Sequence, residues 1–416
     1  MSDFHPNEKG RKRTAGIWNV VFLASTLVGV LSLVTLVTSL IDSCFGYVVL
    51  QDAYSYAEVS VAPDKALASL TKEELVQTLR TTAEADLTDL TTGRLRLLEM
   101  DRPLEVRTED ELRNLVITEV LKSEVKKSWS LMESLSQASA ITEFQKSRYP
   151  DGHLAFRSWL SPEFLTKPQS GGKAESNGLR GAIIGSLWII LIAIVIAFPI
   201  GLGSAIYLEE YASDNWLNRL IQTNIYNLAG VPSIIYGMLG LAIFVRLLGP
   251  ITSGALFGVQ DVNGRTVFSA GLTLGILILP IIIINAQEAL KAIPNSLRYS
   301  SYGVGATKWQ TIWHHVIPAS MDRILTGTVF GVSRAIGETA PLVVIGASAF
   351  LTLDPSGLFS KFTTLPIQIF TWSQMASPEF RHVAAAAIVV LLVLLLGLNA
   401  IAIYFRTGIQ KAKDAL

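Results

Sequence analysis

The sequence is poor in cysteine and in charged residues. Cys44 is the only cysteine among 416 residues, which excludes an intrachain disulfide framework and a cysteine-ligated metal cluster. Charged residues make up 16% of the chain, whereas a typical soluble domain contains about 25%. The formal net charge is zero, so the overall charge gives no reason to expect a nucleic-acid partner.

Motifs for catalysis and metal binding are also lacking. The chain contains no Gly-x4-Gly-Lys-[Ser/Thr] phosphate loop, so we expect that it neither hydrolyses ATP nor binds a cofactor itself. The histidines are scattered, apart from the adjacent pair His314 and His315. Adjacent residues do not share a face of a helix, so we expect no metal site there.

Long apolar runs are abundant. Half of the residues are hydrophobic, and the mean hydropathy is +0.42. A membrane helix needs about 20 mostly apolar residues, and only helices or closed barrels satisfy the backbone in lipid. Runs of this length favour helices, so we predict an all-α membrane protein with six transmembrane spans. The predicted spans are residues 17–41, 182–208, 220–245, 267–284, 325–350 and 383–405.

Basic residues in the short flanking segments predict the orientation of the spans. Lys9 and Arg13 place the N-terminal segment, residues 1–16, in the cytoplasm. The run 17–41 is longer than the roughly 7–15 residues of a signal-peptide core, so we expect a retained first span. Six spans return the C-terminus, with Arg406 and Lys411, to the cytoplasm. We therefore expect a multi-pass protein of the plasma (inner) membrane with both termini cytoplasmic.

Residues 45–180 differ in composition from the rest of the chain, because acidic and basic residues are concentrated there. Two capping boxes, Thr71 with Glu74 and Thr108 with Glu111, precede apolar patterns of helical spacing. We predict an extracytoplasmic, mainly helical insertion with a linker between spans one and two. It is either a solvated addition or a docking platform for a partner, and the sequence leaves both open.

The loop 288–322 between spans four and five contains an aromatic helical pattern. Gly305 precedes a capping box formed by Thr307 and Gln310. Apolar residues then recur at helical spacing: Trp309, Ile312, Trp313, Val316 and Ile317. This spacing predicts a helix with one apolar face, and Pro318 is expected to end it. We predict two short cytoplasmic helices that suit either the groove of a partner protein or the lipid headgroups.

The stretch from Tyr299 to Pro318 resembles the cytoplasmic coupling loop of importer-type ABC permeases. The pattern of that family begins Glu-Ala-Ala, has Gly four positions after the last Ala, and ends Leu-Pro. This chain matches at Gly305 and at Ile317-Pro318, but Tyr299-Ser300-Ser301 replaces Glu-Ala-Ala. The resemblance implies a six-transmembrane ABC importer permease of type I, MetI-like fold. The residues that it implies for coupling to an ATPase are Gly305, Thr307, Trp309, Ile312, Trp313, Val316 and Pro318.

Two further segments resemble the permeases of the phosphate-specific ABC transport system. Gly230-Val-Pro-Ser-Ile-Ile-Tyr-Gly237 resembles a stretch that both permeases of that system share. Ser333-Arg-Ala-Ile-Gly-Glu-Thr-Ala-Pro-Leu342 resembles the PstA type, since the PstC type usually reads Gly-Glu-Thr-Met. The resemblance covers the first span and about residues 160–410, but not the insertion. It implies a permease that translocates phosphate and pairs with a PstC-type permease as a heterodimer. Two PstB-type ATPase subunits would use ATP and Mg, and a PstS-type extracytoplasmic protein would deliver phosphate.

Arg334 and Glu338 are charged residues within the predicted fifth span, 325–350. They share a helix face at i, i+4, and a charge inside the bilayer is costly unless it is paired or hydrated. They suit a structural ion pair. They also suit an arginine that offers bidentate donors to a passing oxyanion while Glu338 holds it, and we favour this second interpretation.

Pro232 and Pro341 also lie inside predicted spans. Each removes a backbone donor and bends the helix. The freed carbonyls and the hydroxyls of Ser233, Tyr236 and Thr339 predict a polar substrate pathway. Bending that merely improves helix packing is an equal alternative.

Two other functions fit parts of the sequence. Permeases for molybdate or sulfate also carry Arg near Gly-Glu, but they tend to continue Phe-Gly, where this chain has Thr339-Ala340-Pro341. A membrane sensor would use the insertion as its ligand domain, but we expect a sensor to carry an attached output domain. The importer is therefore the favoured function.

Overall fold

The computed structural model describes residues 8–54, 59–62, 65, 69–85, 90–101, 103–121, 124–150, 152–170, 173–259, 264–349, 351 and 354–414. Residues 1–7 of the predicted cytoplasmic segment, 171–172 of the predicted linker and Phe350 of the predicted fifth span lie outside this part. The chain divides into a first unit, Met1–Trp159, and a second unit, Leu160–Leu416.

The first unit begins with helix α1 (Glu8–Cys44), which contains the predicted first span. Strand β1 (Phe45–Gln51) follows without a linker and is the centre of a three-stranded antiparallel sheet with β2 (Glu124–Ser128) and β3 (His153–Ser158). The expectation of an all-α chain was wrong at this point. Val48 pairs with Ser128 and Ala155, which are distant in sequence. The sequence pattern around Val48 therefore does not indicate these strands.

Helices make up the rest of the described first unit. They are α2 (Lys72–Glu84), α3 (Thr92–Asp101), α4 (Glu109–Leu115) with a π-helical turn (Val116–Val120), α5 (Leu131–Ser136) and α6 (Ala138–Arg148), with a 3-10 turn (Leu104–Val106) between α3 and α4. Both predicted capping boxes are present, at Thr71 with Glu74 and at Thr108 with Glu111. Leu75, Leu79 and Leu112 are completely buried in a shared apolar core, so α2 and α4 are held together by packing.

The regular elements among the described residues of the second unit are all helices or helical turns. Its elements are α7 (Pro162–Thr166), a 3-10 turn (Ala174–Ser176), α8 (Arg180–Ile206) with a π-helical turn (Tyr207–Tyr211), α9 (Trp216–Ala229), α10 (Ser233–Gly240) with a π-helical turn (Leu241–Leu247), α11 (Gly249–Thr252), a 3-10 turn (Ala255–Phe257), α12 (Val267–Lys291), α13 (Asn295–Gly303), α14 (Lys308–Thr311) with a π-helical turn (Ile312–Val316), α15 (Ile317–Gly337), α16 (Ala340–Ile345), α17 (Leu365–Ser373) and α18 (Glu379–Asp414). The central helix is α12, whose buried residues pack against α8, α10 and α15.

Four described helices are long and apolar enough to cross a membrane: Lys12–Cys44, Arg180–Tyr211, Val267–Lys291 and Glu379–Tyr404. The predicted third span is a pair of helices, Trp216–Ala229 and Ser233–Leu247, bent by 106°. The predicted fifth span corresponds to α15 and α16. Because α15 carries Asp322, Arg323 and Arg334, it is more polar than the other spans. The count of six spans remains a prediction.

Both interruptions occur at prolines. Pro232 cannot donate to the carbonyl of Leu228, and Pro341 cannot donate to that of Gly337, four residues earlier in each case. Helix α9 ends at Ala229, next to the first carbonyl, and α15 ends at Gly337. The predicted proline kinks are therefore complete breaks between helices.

The boundary between the units differs from the predicted end of the insertion near residue 180. Residues from Leu160 onward belong to the second unit. Gln169 joins the segment after α7 to the loop after α16, because its side chain donates to the carbonyl of Ala349 (3.0 Å) and accepts from the amide of Leu351 (2.8 Å). The segment 160–179 thus packs as part of the second unit.

The core of the first unit predicts a large effect of Leu79→Ala. The variant loses buried methyl groups and leaves a cavity, which costs about 2–5 kcal/mol. We expect hydrogen exchange of the α2 amides in the full chain to accelerate accordingly. Gln77→Ala on the exposed side of α2 is the matched control and should change the free energy of opening by less than about 0.5 kcal/mol. Equal protection of α2 in both variants would contradict this packing.

Candidate functional site

Arg334 and Glu338 form an ion pair at the break between α15 and α16. Arg334 lies in the last turn of α15, and Glu338 follows that helix with an extended backbone. Nε of Arg334 and Oε1 of Glu338 are 3.5 Å apart, and the two side chains are 43% and 18% exposed. The predicted pairing is present, although Glu338 has left the helix. A guanidinium has five N–H donors, so a contact at Nε leaves capacity for a second oxygen.

Tyr236 forms a hydrogen bond across the break at Pro232. Its hydroxyl donates to the carbonyl oxygen of Leu228 at 2.8 Å, and the side chain is buried. The same carbonyl also accepts from the amide of Val231 at 3.1 Å, so the bond from Tyr236 is a second contact that links α10 to the end of α9. Tyr236 and Ala335, the residue after Arg334, belong to the same buried apolar cluster. Tyr236 thus lies on a segment that packs beside the ion pair, and its hydroxyl hydrogen is already used in the hydrogen bond to Leu228.

Two glycines allow α10 to approach its neighbours closely. A Cβ atom at Gly237 would lie 2.6 Å from Cα of Pro341, and one at Gly240 would lie 2.2 Å from Oγ1 of Thr273. The segments around Pro232 and Pro341 therefore meet in space. Glycine serves helix packing at both positions.

Ser233 and Thr339 occupy the first positions after the two breaks. Ser233 is the first residue of α10 and is partly exposed. Thr339 precedes α16 and is partly exposed too, and its carbonyl accepts from the amide of Val343 at 3.1 Å. We name Ser233, Tyr236, Arg334, Glu338 and Thr339 the polar cluster.

Sequence reasoning missed two polar contacts between helices. The hydroxyl of Ser333 donates to Oδ1 of Asn399 at 2.8 Å and links α15 to α18. Gln222 and Gln287 exchange two side-chain hydrogen bonds, at 2.9 and 3.0 Å, and link α9 to α12. The available signal was an amide side chain within an apolar run, which usually seeks a partner on another helix.

The loop between α12 and α15 forms a compact pair of helices, α13 and α14 with its π-helical turn. We name residues 295–316 the lever. Gly305 has φ +86°, a left-handed conformation that glycine adopts without strain. Thr307 caps α14, because its hydroxyl oxygen accepts from the amide of Gln310 while its own amide donates to Oε1 of Gln310. The predicted turn and capping box are both present.

The predicted apolar residues of the lever do not share one face. Ile312, Val316 and Ile317 are buried, whereas Trp309 and Trp313 are 56% and 55% exposed. The two indole rings stack with centroids 5.5 Å apart. The π-helical turn at Ile312–Val316 changes the number of residues per turn, and this shifts the pattern. One side therefore anchors the lever, and a tryptophan pair projects from it.

The prediction that Pro318 ends the helix was wrong. Pro318 lies in the first turn of α15, which continues directly from the π-helical turn to Gly337. The π-helical turn changes the hydrogen-bond register just before Pro318, and the helix continues through the proline. The lever is therefore continuous with the helix that carries Arg334.

A buried ion pair attaches the first helix of the lever to α8. Nη2 of Arg298 lies 2.6 Å from Oε1 of Glu210, and the side chains are 13% and 6% exposed. Arg298 also donates to the carbonyls of Ile293 (2.8 Å) and Leu290 (3.1 Å), at the end of α12. Charged groups with this many partners stay fixed in place when buried. Arg298 thus joins three segments.

The second helix of the lever has contacts of its own. The hydroxyls of Ser301 and Thr311 lie 2.9 Å apart in a buried position and tie α13 to α14. Nζ of Lys308 lies 5.0 Å from the ring centroid of Tyr211, a cation–π contact with the turn that carries Glu210. Neither contact was apparent from the sequence, because the partners are not periodic. Both helices of the lever therefore rest on Tyr207–Tyr211.

The part of the chain that matches a known protein family lies within the second unit. Residues 197–410 match the family model described as "Binding-protein-dependent transport system inner membrane component". The phosphate transport system permease protein PstC of Pasteurella multocida is 35% identical over 235 residues, which are 51% of this chain and 71% of the relative. The phosphate transport system permease protein PstA 1 of Mycobacterium tuberculosis is 32% identical over 222 residues, 52% and 67% of the two chains.

Solved structures show a more distant likeness. An inward-facing structure of the MetNI methionine ABC transporter aligns with 56% of this chain and 95% of its own, at 17% identity and a TM-score of 0.42. The assignment rests on the sequence matches, which include the whole lever, the polar cluster and α18 up to residue 410. The chain belongs to the family of binding-protein-dependent transport system inner membrane components, and it is a permease of the Pst type.

Proposed function

We propose that this chain is the PstA-type subunit of an ATP-driven phosphate importer and that phosphate passes the polar cluster on its way to the cytoplasm. The observation that supports it best is Arg334 at a break between two helices, in a chain whose relatives are named as phosphate transport permeases. A partly exposed guanidinium can offer paired donors to an oxyanion.

The pairing of Arg334 with Glu338 suits conduction. A transport site must attract the ion and then release it, so a strong anion trap would stop turnover. Glu338 lowers the net positive charge that phosphate meets, and the 3.5 Å separation is loose for a hydrogen bond. Phosphate exchanges with Glu338 as a partner of Arg334. Tyr236 holds the bend, and Ser233 and Thr339 add hydroxyls beside the breaks.

The lever transmits force from a separate ATPase. Its exposed surface is aromatic: Tyr299 is 69% exposed, and Trp309 and Trp313 are more than half exposed. Aromatic side chains of this kind are typical anchors in a groove of a partner. Tyr299 stands where the related permeases have Glu, so the polar contact expected there is replaced by an aromatic one. Both termini and the lever lie on the cytoplasmic side.

The assembly contains this chain, a PstC-type permease, two PstB-type ATPase subunits that use ATP and Mg, and a PstS-type extracytoplasmic phosphate-binding protein. Closure of the ATPase pair draws the levers together, and the bundle opens outward. Hydrolysis resets it, which is alternating access. The chain itself is a translocation subunit without catalytic activity. Because α15 runs without interruption from the lever to Arg334, movement of the lever alters the polar cluster directly.

Arg334→Ala tests the pathway. A hydrogen bond to a charged group contributes about 1.5–3 kcal/mol, so we expect phosphate uptake by the reconstituted complex to fall at least about tenfold. Arg219→Ala, on an arginine exposed at the start of α9, is the matched control and should transport normally.

Both variants are first checked for assembly with the partner subunits. Normal uptake by Arg334→Ala would remove this residue from the pathway. Excess molybdate and sulfate are added as competitors, and we expect neither to displace phosphate. Displacement by either oxyanion would contradict the proposed substrate.

A double-mutant cycle at Glu210 and Arg298 tests the attachment of the lever. Removing one partner of a buried ion pair leaves an uncompensated charge and costs about 3–5 kcal/mol. We expect Glu210→Ala and Arg298→Ala each to lower the melting temperature of the purified protein and to reduce transport per ATP hydrolysed. The double variant should be less destabilised than the sum of the two.

The exposed pair of Asp214 and Arg219 is the matched control for this cycle. Its side chains are 76% and 73% exposed, and solvent screens such a pair, so the same cycle there should show no resolvable coupling. Strictly additive effects at Glu210 and Arg298 would show that their ion pair does not hold the lever.

A further inference from the structure

Helix α5 of the first unit exposes apolar side chains that the transport mechanism does not use. Met132 is 71% exposed and Leu135 is 76% exposed. Ser130 and Glu133 form a capping box that fixes the start of this short helix. Large apolar side chains that are exposed together often mark contact surfaces, so we expect a partner to cover Met132 and Leu135.

α5 lies beside the last turns of α1. The amide of Met132 donates to Oδ1 of Asp42 at 2.6 Å. Thr38 and Ile41 of α1 and Leu131 and Leu135 of α5 line a shared cleft of about 460 Å³. The exposed residues of α5 therefore continue the apolar surface of α1, where Ile41 is 44% exposed.

Several hydrogen bonds hold α5 beside the end of α1 and beside β1. β1 begins at the residue after α1, and the amide of Trp159 donates to the carbonyl of Cys44 at 2.9 Å. The amide of Tyr47 donates to Oγ of Ser134 in α5 at 2.8 Å, and its carbonyl accepts from the amide of Trp129 at 3.0 Å. α5 is thus bonded both to the end of the span and to the strand that continues it.

The length of α1 sets the depth of α5 in the membrane. The apolar run 17–41 is about 37 Å long at 1.5 Å per residue, slightly more than the roughly 30 Å of a hydrocarbon core. Its outer end at Ile41 and Asp42 consequently lies at the lipid–water interface, and α5 lies at the same level. Trp129, directly before the capping box, is typical of this zone.

We propose that α5 is an interfacial anchor that inserts Met132 and Leu135 into the outer leaflet of the bilayer. The occupant of the exposed face is lipid acyl chain, because the face is continuous with the apolar surface of a membrane-crossing helix. The proposal depends on α1 crossing the bilayer, and it is independent of the transported ion. It gives the first unit a fixed height and tilt above the membrane.

Fluorescence quenching in the full-length protein tests this anchor. Cys44→Ala removes the only native thiol, and single cysteines are then introduced by Met132→Cys or Leu135→Cys and labelled with an environment-sensitive dye. The protein is reconstituted in phosphatidylcholine vesicles with or without brominated acyl chains. We expect brominated lipid to quench both labels at least about twofold, while aqueous iodide quenches them weakly.

Two control positions separate this proposal from its premise. Gln77→Cys, on the exposed side of α2, should respond to iodide and not to brominated lipid. Leu31→Cys, in the middle of α1, should respond to brominated lipid. A negative result at Leu31 would refute the span itself. If brominated lipid quenches the label at Leu31 but not the labels at Met132 and Leu135, the anchor is overturned. This holds when iodide quenches the labels at Met132 and Leu135, and equally when neither quencher reaches them because a protein covers them.

Discussion

A proline has no amide hydrogen to donate to the carbonyl four residues earlier, and this constraint determines where two helices of the second unit break. Pro232 cannot donate to the carbonyl of Leu228, which accepts instead from the amide of Val231 and from the hydroxyl of Tyr236, one turn beyond the proline. Gly237 then lets Pro341 pack directly against α10. Because the second break lies at this contact, Glu338 leaves the helix beside Arg334. The charged pair thus lies at a helix break that Pro341 imposes.

The lever depends on a second constraint, the high cost of an unpaired charge in a buried place. Arg298 has Glu210 and two carbonyls as partners, so the first helix of the lever cannot move without α8 or α12. The second helix continues through Pro318 into α15. The tryptophan pair is therefore connected to the rest of the second unit in two ways, through the ion pair and along a continuous helix.

Local chemistry made much of this predictable from the sequence. The capping boxes at Thr71, Thr108 and Thr307 need only side chains three residues apart, and the pair Arg334–Glu338 needs only helical spacing. What could not be predicted depends on distant partners. β1 was assigned to a mainly helical insertion because its partner strands lie far away in the chain, and Glu210 and Arg298 are 88 residues apart. The π-helical turn changed the expected face of the lever and the expected end at Pro318.

The proposed transport mechanism requires that the lever contact an ATPase on the cytoplasmic side of the membrane. Its most direct test is the Trp313→Cys variant in a Cys44→Ala background, treated with a membrane-impermeant maleimide in sealed vesicles of both orientations. Because the indole of Trp313 is exposed, the introduced thiol should react rapidly in inside-out vesicles and remain unlabelled in right-side-out vesicles. Rapid labelling of right-side-out vesicles would place the lever outside the cell and contradict the account.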